Sequence, residues 1–386
     1  MTDQTPVPAR PARPRAPIPL SARAVLSVDL AALRANWARL NEVSGRAECA
    51  GVIKADAYGL GLAPIARALT SEGCKTFFVA TVDEGRIARE VQPGATIYVL
   101  DGLLPGAEPH YAGFDLRPAL SGLGEVRDWA AYSRARGRKL SAALHIDTGI
   151  NRLGMPEYEV EQLAAEPELL SQFEVTLVMS HLACADEPDN PMNFAQRDRF
   201  NYLRAKLPPA PVSLSNSGGT FLGPSFHFDL VRPGIALYGG RAHEGKPNPM
   251  RTVVRMAARI LQVREVAPGE TVGYGAIYKA QRRSRIATIA CGYADGFLRA
   301  LSVATGEAGP VGYIGDYPVP IVGRVSMDNI TVDVTDVPEE LARRGGWVEV
   351  MGERVTLDDL TDRAGTIGYE LLARLGPRVH RVYEGA

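Results

Sequence analysis

A regular alternation of short apolar runs and longer amphipathic stretches extends from Ala24 to about Leu237, and it constrains the fold more than any other feature. We predict strands at residues 49–54, 76–80, 96–100, 116–120, 140–147, 174–181, 211–215 and 228–232. Helices are predicted between them, for example at 61–72, 83–91, 123–137 and 193–206. About eight β-then-α units in roughly 200–250 residues are typical of an α/β chain that forms a (β/α)8 TIM-like barrel.

An open, doubly wound sheet is the main alternative for this pattern. Such a sheet usually contains fewer strands, and it often has a glycine-rich fingerprint after the first one. The glycines of Gly59–Pro64 (GLGLAP) are too closely spaced for that fingerprint. The sequence therefore favours the barrel.

The pattern changes after about Pro249, where short β-like runs are separated by Gly and Pro turns. These runs, at 253–266, 285–291, 318–325 and 329–334, predict a mostly β second domain. A further short strand, Ala24–Val28, could join that domain or precede the barrel. We expect a disordered Pro/Arg-rich tail over 1–22, a barrel over 23–250 and a mostly β domain over 251–386.

Composition narrows the possible partners. The chain has 386 residues with 43 basic and 44 acidic side chains, and this balance gives no electrostatic reason to bind nucleic acid or an anionic membrane. No apolar run approaches the ~20 residues of a membrane span, and the N-terminus lacks the apolar segment of a secretory signal. The four cysteines are scattered and the six histidines lack metal-ligand spacing, so we expect a cytoplasmic protein without a metal site.

Several polar side chains follow the predicted barrel strands, where the functional groups of a barrel lie. They are Lys54, Asp147, His181, Asn216 and Arg232. Barrels often bind a phosphate with the loops after strands seven and eight. Those loops read Asn216-Ser217-Gly218-Gly219 and Arg232-Pro233-Gly234-Ile235, and their small residues let backbone N–H groups approach an anion. Together the two loops predict a phosphorylated ligand.

Lys54 ends an otherwise apolar strand and has two interpretations. It could be a structural lysine whose ammonium group reaches solvent past an apolar stem. Alternatively, its pKa could be lowered beside the phosphate site, so that it forms a Schiff base with a carbonyl group. Pyridoxal phosphate (PLP) fits the second interpretation, because it has an aldehyde for the lysine and a phosphate for the loops.

Nine segments of the chain resemble the motifs of the barrel-type, PLP-dependent alanine racemases, and they occur in the order of that family. They are KADAYGLG (54–61), DTGINRLG (147–154), SHLACAD (180–186), SNSGG (215–219), RPGIALYG (232–239), VGYGAIY (272–278), CGYADGF (291–297), GRVSMD (323–328) and TIGYELL (366–372). One such segment would be weak evidence, but nine in order, from about residue 24 onwards, make a specific match.

The resemblance implies a role for each matching residue. Lys54 would bind PLP as a Schiff base and act as the base facing the D-isomer, while Tyr274 would be the opposite base facing the L-isomer. Arg232 would donate to the pyridine nitrogen, and His181 would lie against the ring. The residues implied at the phosphate are Tyr58, Ser217, Gly234, Ile235 and Tyr369. Asn216 is expected to bind the cofactor as well, from its place in the loop after strand seven. Arg152 and the Met327 backbone would meet the substrate carboxylate, and Tyr293 would line the entrance.

The implied roles agree with the chemistry of racemisation. One proton must leave one face of Cα and another must arrive at the opposite face, which two acid/base groups do most simply. Arginine only donates hydrogen bonds, so Arg232 would leave the pyridine nitrogen unprotonated and the ring a weaker electron sink. A weaker sink favours racemisation over decarboxylation and limits transamination.

Four positions depart from the common family pattern. His145 stands where many members have a lysine that is often carbamylated and that helps to hold the counterpart of Arg152. Histidine cannot be modified in that way, so another group must do this work. Asn151, Leu60 and Ser326 stand where glycine, histidine and cysteine are common. None of the four is one of the two implied bases.

The resemblance implies an alanine racemase that interconverts L- and D-alanine on a PLP aldimine and supplies D-alanine for peptidoglycan. It also implies a head-to-tail homodimer with active sites shared between subunits. The alternatives are a PLP-dependent amino-acid decarboxylase of the same barrel class, a broad-specificity racemase and a non-catalytic PLP carrier. Arg232 and the Tyr274 motif oppose the decarboxylase, and the long second domain opposes the carrier.

Overall fold

The structure is a computed structural model that describes residues 18–385. Most of the predicted tail, residues 1–17, lies outside the described residues. The described chain begins with strand β1 (Ala24–Asp29) and helix α1 (Leu30–Ser44). Asp29 caps α1 by accepting hydrogen bonds from the amides of Ala31 and Ala32, both at 2.9 Å.

The strands that follow form a closed parallel barrel. They are β2 (Glu48–Cys49), β3 (Gly51–Val52), β4 (Thr76–Val79), β5 (Thr96–Val99), β6 (Arg117–Leu120), β7 (Ser141–His145), β8 (Glu174–Met179), β9 (Val212–Ser213) and β10 (Leu230–Val231). Each of β3 to β8 pairs with the next strand, and β10 pairs in parallel with β2. The amides of Asp229 and Arg232 donate to Val212 O at 3.1 Å and Ser215 O at 2.9 Å, which joins β10 to the end of β9. Because Ala50 alone separates β2 from β3, these two form one strand of the barrel, and the predicted eight-stranded barrel is confirmed.

Helical segments follow the barrel strands, and the first of them, Lys54–Tyr58, is a left-handed turn and not a regular α-helix. They are α2 (Lys54–Tyr58), α3 (Leu62–Glu72), α4 (Val82–Val91), α5 (Glu108–Gly113), α6 (Leu123–Ala135), α7 (Glu157–Ala164), α8 (Pro167–Leu170), α9 (Met192–Arg204) and α10 (Ser217–Phe221). The sequence predicted α3, α4, α6 and α9 to within two residues at each end. Local signals explain some of these bounds: Thr81 and Glu84 form a capping box at the start of α4, and Gly73 ends α3 in a left-handed conformation.

The second domain is mostly β, as predicted. Its elements are β11 (Val254–Val266), β12 (Thr271–Val272), β13 (Tyr278–Lys279), β14 (Ser284–Ile289), β15 (Val311–Ile314), β16 (Tyr317–Pro320), β17 (Ile330–Asp333), β18 (Trp347–Met351), α11 (Leu357–Ala364), α12 (Gly368–Ala373) and β19 (His380–Glu384). The long strand β11 organises the sheet, since it pairs with β1, β14 and β18.

Strand β1 belongs to this second sheet and not to the barrel. It lies between β11, with which it pairs antiparallel, and β19, with which it pairs parallel. The sequence left open whether this strand joins the β domain or precedes the barrel, and in the structure it joins the β domain. This corrects the predicted barrel range of 23–250 at its start, because α1 connects β1 to the barrel only at residue 48. The short apolar run alone could not distinguish the two sheets.

The two domains share one hydrophobic core. A continuous cluster of buried apolar side chains extends from Phe77 and Phe78 of barrel strand β4 to Val348 and Val350 in the second sheet. Among residues 18–385, no helix is long and apolar enough to cross a membrane.

Candidate active site

The side chains predicted from the ends of the barrel strands do lie at one end of the barrel. Lys54, His181, Asn216 and Arg232 follow β3, β8, β9 and β10, and parallel strands present their carboxyl ends at the same edge. A cavity of about 790 Å³ opens there. Its lining includes Arg152, His181, Asn216, Ile235 and Tyr369.

Lys54 begins an unusual backbone turn. The next four residues, Ala55 to Tyr58, all have φ between 53° and 57°. A left-handed conformation costs an L-residue roughly 1–2 kcal/mol, and runs of it are rare outside functional sites. The turn is held by the amide of Gly59, which donates to Ala55 O at 2.7 Å, and by Asp56 Oδ1, which accepts from the Leu62 amide at 2.7 Å.

The surroundings of Lys54 favour its neutral form. Burial lowers the pKa of its ammonium group, and the nearby charge of Arg152 lowers it further. Asp101 and Glu84 act in the opposite direction, and Arg232 adds a smaller lowering effect. A lysine with a lowered pKa is neutral in a larger fraction of molecules at neutral pH, which is the form that attacks a carbonyl or accepts a proton.

Arg232 is buried, with 4% of its surface exposed. One terminal nitrogen donates to Ser213 Oγ, and the other donates to Ser180 O at 2.6 Å and approaches His181 Nδ1 at 3.4 Å. Within residues 18–385, Nε has no hydrogen-bond partner. Burial lowers the pKa of Arg232 to about 9, so the guanidinium stays charged at neutral pH. The site thus holds a fixed cation that can still donate a hydrogen bond through Nε.

The two histidines near Arg232 are kept neutral. Burial, followed by the charge of Arg232, lowers the pKa of His145 to about 4 and that of His181 well below its ordinary value. Ser121 Oγ donates to Ala119 O at 3.2 Å, so it accepts from His145 Nδ1, 3.1 Å away. His145 Nε2 is then unprotonated, and it has no partner among the described residues. His145 is therefore a neutral acceptor, not a charged group.

We expect His145 to make the fold sensitive to acid. The unfolded histidine binds a proton below about pH 6.5, whereas the folded one does so only below about 4, so stability falls as the pH falls between these values. From pH 7 to about pH 4.5 this costs about 2–3 kcal/mol of unfolding free energy. His145→Asn, which can keep the bond to Ser121, should flatten this decline in urea titrations. The exposed His110→Asn is the control, and equal declines in the two variants would contradict the assignment.

Two loops of small residues meet beside Arg232. Ser217 Oγ accepts hydrogen bonds from the amides of Gly234 at 2.9 Å and Ala236 at 3.2 Å, which fixes the two loops together. Within the described chain, the amides of Ser217, Gly218 and Ile235 have no hydrogen-bond partner. These free N–H groups can bind an anion. Asn216 acts differently from its neighbours, because its side chain caps α10 by accepting from the Gly219 amide at 3.0 Å.

Aromatic side chains close the same corner of the cavity. The ring of Tyr58 packs against Tyr238, with 4.6 Å between centroids, and against Tyr369 of α12 at 5.9 Å. A Cβ atom on Gly234 would lie 2.2 Å from the Tyr58 hydroxyl. A larger residue at position 234 would therefore displace the loop or Tyr58, and the second domain contributes Tyr369 to the barrel site of its own chain.

Arg152 is exposed at the end of the loop that follows β7. Asp147 shapes that loop by accepting from the amides of Gly149 at 3.0 Å and Asn151 at 3.1 Å. Asn151 has φ of 53°, a conformation that asparagine tolerates better than most residues. This explains how asparagine can replace the glycine that is common at this position.

The remaining predicted residues form a separate group on the second domain. The Tyr293 amide donates to Ser326 O and the Ala294 amide to Met327 O, both at 3.0 Å, and the Tyr274 turn packs against Arg324. Tyr274, Met327 and Tyr293 are 73%, 54% and 40% exposed. Within residues 18–385, no hydrogen bond or ring contact joins these three to Lys54 or Arg232. One chain therefore presents the predicted residues as two groups.

Two acidic residues beside Lys54 were missed by the sequence analysis. Glu84 accepts from the Asp56 amide at 3.3 Å, and Asp101 raises the pKa of Lys54. The capping-box spacing of Thr81 and Glu84 was a local signal for the first, although it gave no indication of the contact with Asp56. No sequence pattern marked Asp101.

Comparison with protein families identifies the chain. Residues 28–242 match the model of the alanine racemase N-terminal domain, and residues 253–383 match that of the C-terminal domain. The chain belongs to the alanine racemase family. The resemblance inferred from the nine motifs is thereby confirmed.

Curated members of the alanine racemase family match nearly the whole chain. The alanine racemase of Rhizobium meliloti is 48% identical over 95% of this chain and 98% of its own. A relative from Mesorhizobium japonicum, named as catabolic, is 47% identical over 95% and 94%. One from Agrobacterium fabrum, named as biosynthetic, is 46% identical over 93% of each chain.

Solved alanine racemase structures share the architecture. The enzyme of Bartonella henselae, which contains covalently bound pyridoxal phosphate, superposes with a TM-score of 0.88 at 38% identity over 94% of this chain and 99% of its own. The enzyme of Streptomyces coelicolor gives a TM-score of 0.88 at 33% identity over 95% and 99%.

Proposed function

We propose that this chain interconverts L-alanine and D-alanine, with pyridoxal phosphate bound to Lys54 and with Lys54 and Tyr274 as the two bases. The main structural support is that Lys54, whose pKa is lowered, lies at the same end of the barrel as the buried Arg232 and a cradle of free amides. The names of the relatives support the substrate, since each is an alanine racemase.

The residues present fit pyridoxal phosphate. The free amides of Ser217, Gly218 and Ile235 and the Tyr58 hydroxyl beside Gly234 suit its phosphate. Arg232 Nε, which has no partner in the described chain, can donate to the ring nitrogen, and the neutral His181 suits a place against the ring. Asn216 would act indirectly, by capping the helix that presents Ser217.

In this proposal the chain's own groups move the protons. When bound, pyridoxal phosphate supplies an electron-withdrawing ring that stabilises negative charge at the substrate Cα. Lys54 removes or returns the Cα proton on the D side, and Tyr274 does so on the L side. Arg152 and the Met327 backbone bind the substrate carboxylate, and Tyr293 lines the entrance. Arg232 only donates, so it leaves the ring nitrogen unprotonated and favours proton transfer over loss of carbon dioxide.

The proposed site requires a second copy of the chain. Tyr274, Tyr293 and Met327 are exposed on the second domain, and within residues 18–385 no hydrogen bond or ring contact joins them to Lys54 or Arg232. A symmetric head-to-tail dimer would place this surface of one chain at the barrel mouth of the other, twice. We propose such a homodimer, with each active site shared between subunits.

Proton exchange tests the proposed activity. In deuterium oxide, both alanine enantiomers should gain deuterium at Cα and interconvert, as followed by NMR and chiral chromatography. Equal rates for larger side chains would instead indicate a broad-specificity racemase. Release of carbon dioxide from lysine, ornithine or diaminopimelate, without racemisation of alanine, would contradict the proposal in favour of a decarboxylase.

Gly234→Ala is expected to weaken cofactor binding. Its Cβ would clash with the Tyr58 hydroxyl, so either the loop or the tyrosine must move. We expect the Kd for pyridoxal phosphate to rise about tenfold or more, which corresponds to roughly 1.4 kcal/mol. Fluorescence titration of the cofactor-free chain measures it. Gly94→Ala is the matched control, because its Cβ would meet no atom within 4 Å; similar affinities in both variants would remove this corner from the phosphate site.

We further propose a cytoplasmic enzyme that supplies D-alanine for peptidoglycan. Cys49, Cys74, Cys184 and Cys291 are all free thiols, which fits a reducing compartment. D-alanine auxotrophy of a strain that lacks the enzyme would support the biosynthetic role. Failure to grow on alanine as a carbon source, without auxotrophy, would instead indicate a catabolic role.

A further inference from the structure

Three glutamates occupy equivalent places around the barrel. Glu84 of α4, Glu125 of α6 and Glu159 of α7 lie in the first turns of their helices. Each accepts a hydrogen bond from an amide that follows the preceding barrel strand. The donors are Asp56 at 3.3 Å, Leu103 at 3.1 Å and Leu123 at 3.0 Å, respectively. These glutamates connect each helix start to the neighbouring loop.

Glu84 differs from the other two in the loop that it holds. Its Oε1 accepts from Asp56, within the left-handed turn that directly follows Lys54. Its Oε2 accepts from the amides of Ala80 at 2.8 Å and Thr81 at 3.4 Å, so the same carboxylate caps α4. One side chain thus joins a rigid helix start to a strained segment that begins at Lys54.

We propose that Glu84 is a positioning residue for Lys54, which it acts on by holding the left-handed turn of residues 55–58 against the start of α4. Four consecutive left-handed residues persist only where their surroundings hold them, and the Asp56 amide has no other partner among residues 18–385. The carboxylate also places a negative charge near the Lys54 ammonium group. The proposal rests on the proposed role of Lys54 in binding pyridoxal phosphate.

Glu84→Asp separates the two functions of this carboxylate. The chain already uses aspartate at the same position of a capping box, where Asp359 Oδ2 accepts from the Thr356 amide at 2.9 Å. Aspartate at position 84 can therefore still cap α4, but it is too short to reach the Asp56 amide as well. The matched control is Glu159→Asp, which shortens the side chain that accepts from the Leu123 amide, and neither residue is among the groups that act on the pKa of Lys54.

Hydrogen–deuterium exchange of the full-length protein tests the held turn without using activity. Glu84→Asp should speed exchange of the peptide 54–61 by about tenfold and leave the peptide 121–126 unchanged, while Glu159→Asp should do the reverse. Unchanged exchange of 54–61 in Glu84→Asp would overturn the proposal, whether or not Lys54 binds the cofactor.

Covalent attachment of added pyridoxal phosphate tests the effect on Lys54. After borohydride reduction and mass spectrometry, Glu84→Asp should attach the cofactor about tenfold or more slowly, and Glu159→Asp at the normal rate. Glu84→Gln, which keeps the length and removes the charge, should shift the pH midpoint of attachment to lower pH. If both Glu84 variants attach the cofactor at the normal rate and with the normal pH midpoint, Glu84 serves only as a helix cap and the proposal is wrong. Attachment to another lysine in the unaltered chain would instead refute the proposed function.

Discussion

Lys54→Ala is expected to abolish both covalent binding of pyridoxal phosphate and racemisation, the largest effect of any single substitution in this chain. The lysine is proposed to act twice, as the point of attachment and as the base on the D side. Loss of one general base alone lowers a rate by about 10²–10⁴-fold, so we expect more than about 10⁴-fold in kcat/KM. The fold should survive, because Lys54 makes no hydrogen bond through its ammonium group to another described residue.

Lys75→Ala is the matched control for this experiment. Lys75 directly precedes β4, so it lies at the opposite end of the same barrel and is exposed. Mass spectrometry after borohydride reduction should find the cofactor on Lys75→Ala and the unaltered chain, and not on Lys54→Ala. Covalent cofactor on Lys54→Ala would show that another lysine binds it, and the proposed mechanism would then be wrong.

The pH dependence of attachment follows from the surroundings of Lys54. Burial and Arg152 lower the pKa of its ammonium group, so the reactive neutral form appears at lower pH than for a free lysine. Removal of a lowering charge by Arg152→Gln should therefore move the attachment midpoint to higher pH. A midpoint shifted to lower pH would contradict this electrostatic assignment.

The sequence predicted the barrel well because the eight apolar runs repeat with helical stretches between them. It could not assign β1, since Ala24–Asp29 is too short to show which sheet it joins. That choice depends on pairing with β11 and β19, hundreds of residues away. Long-range pairing of this kind leaves no local signal.

The residues of the candidate site also differ in whether the sequence alone could predict them. Lys54, His181 and Arg232 could be found because each follows a strand of the barrel, where functional side chains occur. Tyr274 could be found only through the family resemblance, since an exposed turn tyrosine has no pattern of its own. The contact between Glu84 and the Asp56 amide could not be predicted. It depends on the left-handed turn of residues 55–58, which no local sequence pattern indicates.

Tyr274→Phe should retain the cofactor and lose racemisation by about 10²–10⁴-fold. Tyr274 is 73% exposed in the single chain, so loss of its hydroxyl should leave the fold intact. The remaining base, Lys54, should still remove the Cα proton of D-alanine and return deuterium to the same face. We therefore expect D-alanine to exchange its Cα proton for deuterium without inversion. L-alanine should neither exchange its Cα proton nor invert. Tyr317→Phe, on β16 of the same domain, is the control, and full racemisation by Tyr274→Phe would exclude this residue as a base.

Mixing the two inactive variants shows whether the bases come from different chains. In a heterodimer of Lys54→Ala and Tyr274→Phe chains, a shared site can combine Lys54 of one chain with Tyr274 of the other. Random reassociation makes half of the dimers mixed, each with one intact site, so about a quarter of normal activity should return. If each site lay within one chain, every site would lack one base and no activity would return. Recovery on mixing would therefore place Tyr274 of one subunit at the Lys54 of its partner, which we expect because Tyr274 is exposed and contacts neither Lys54 nor Arg232 within residues 18–385 of its own chain.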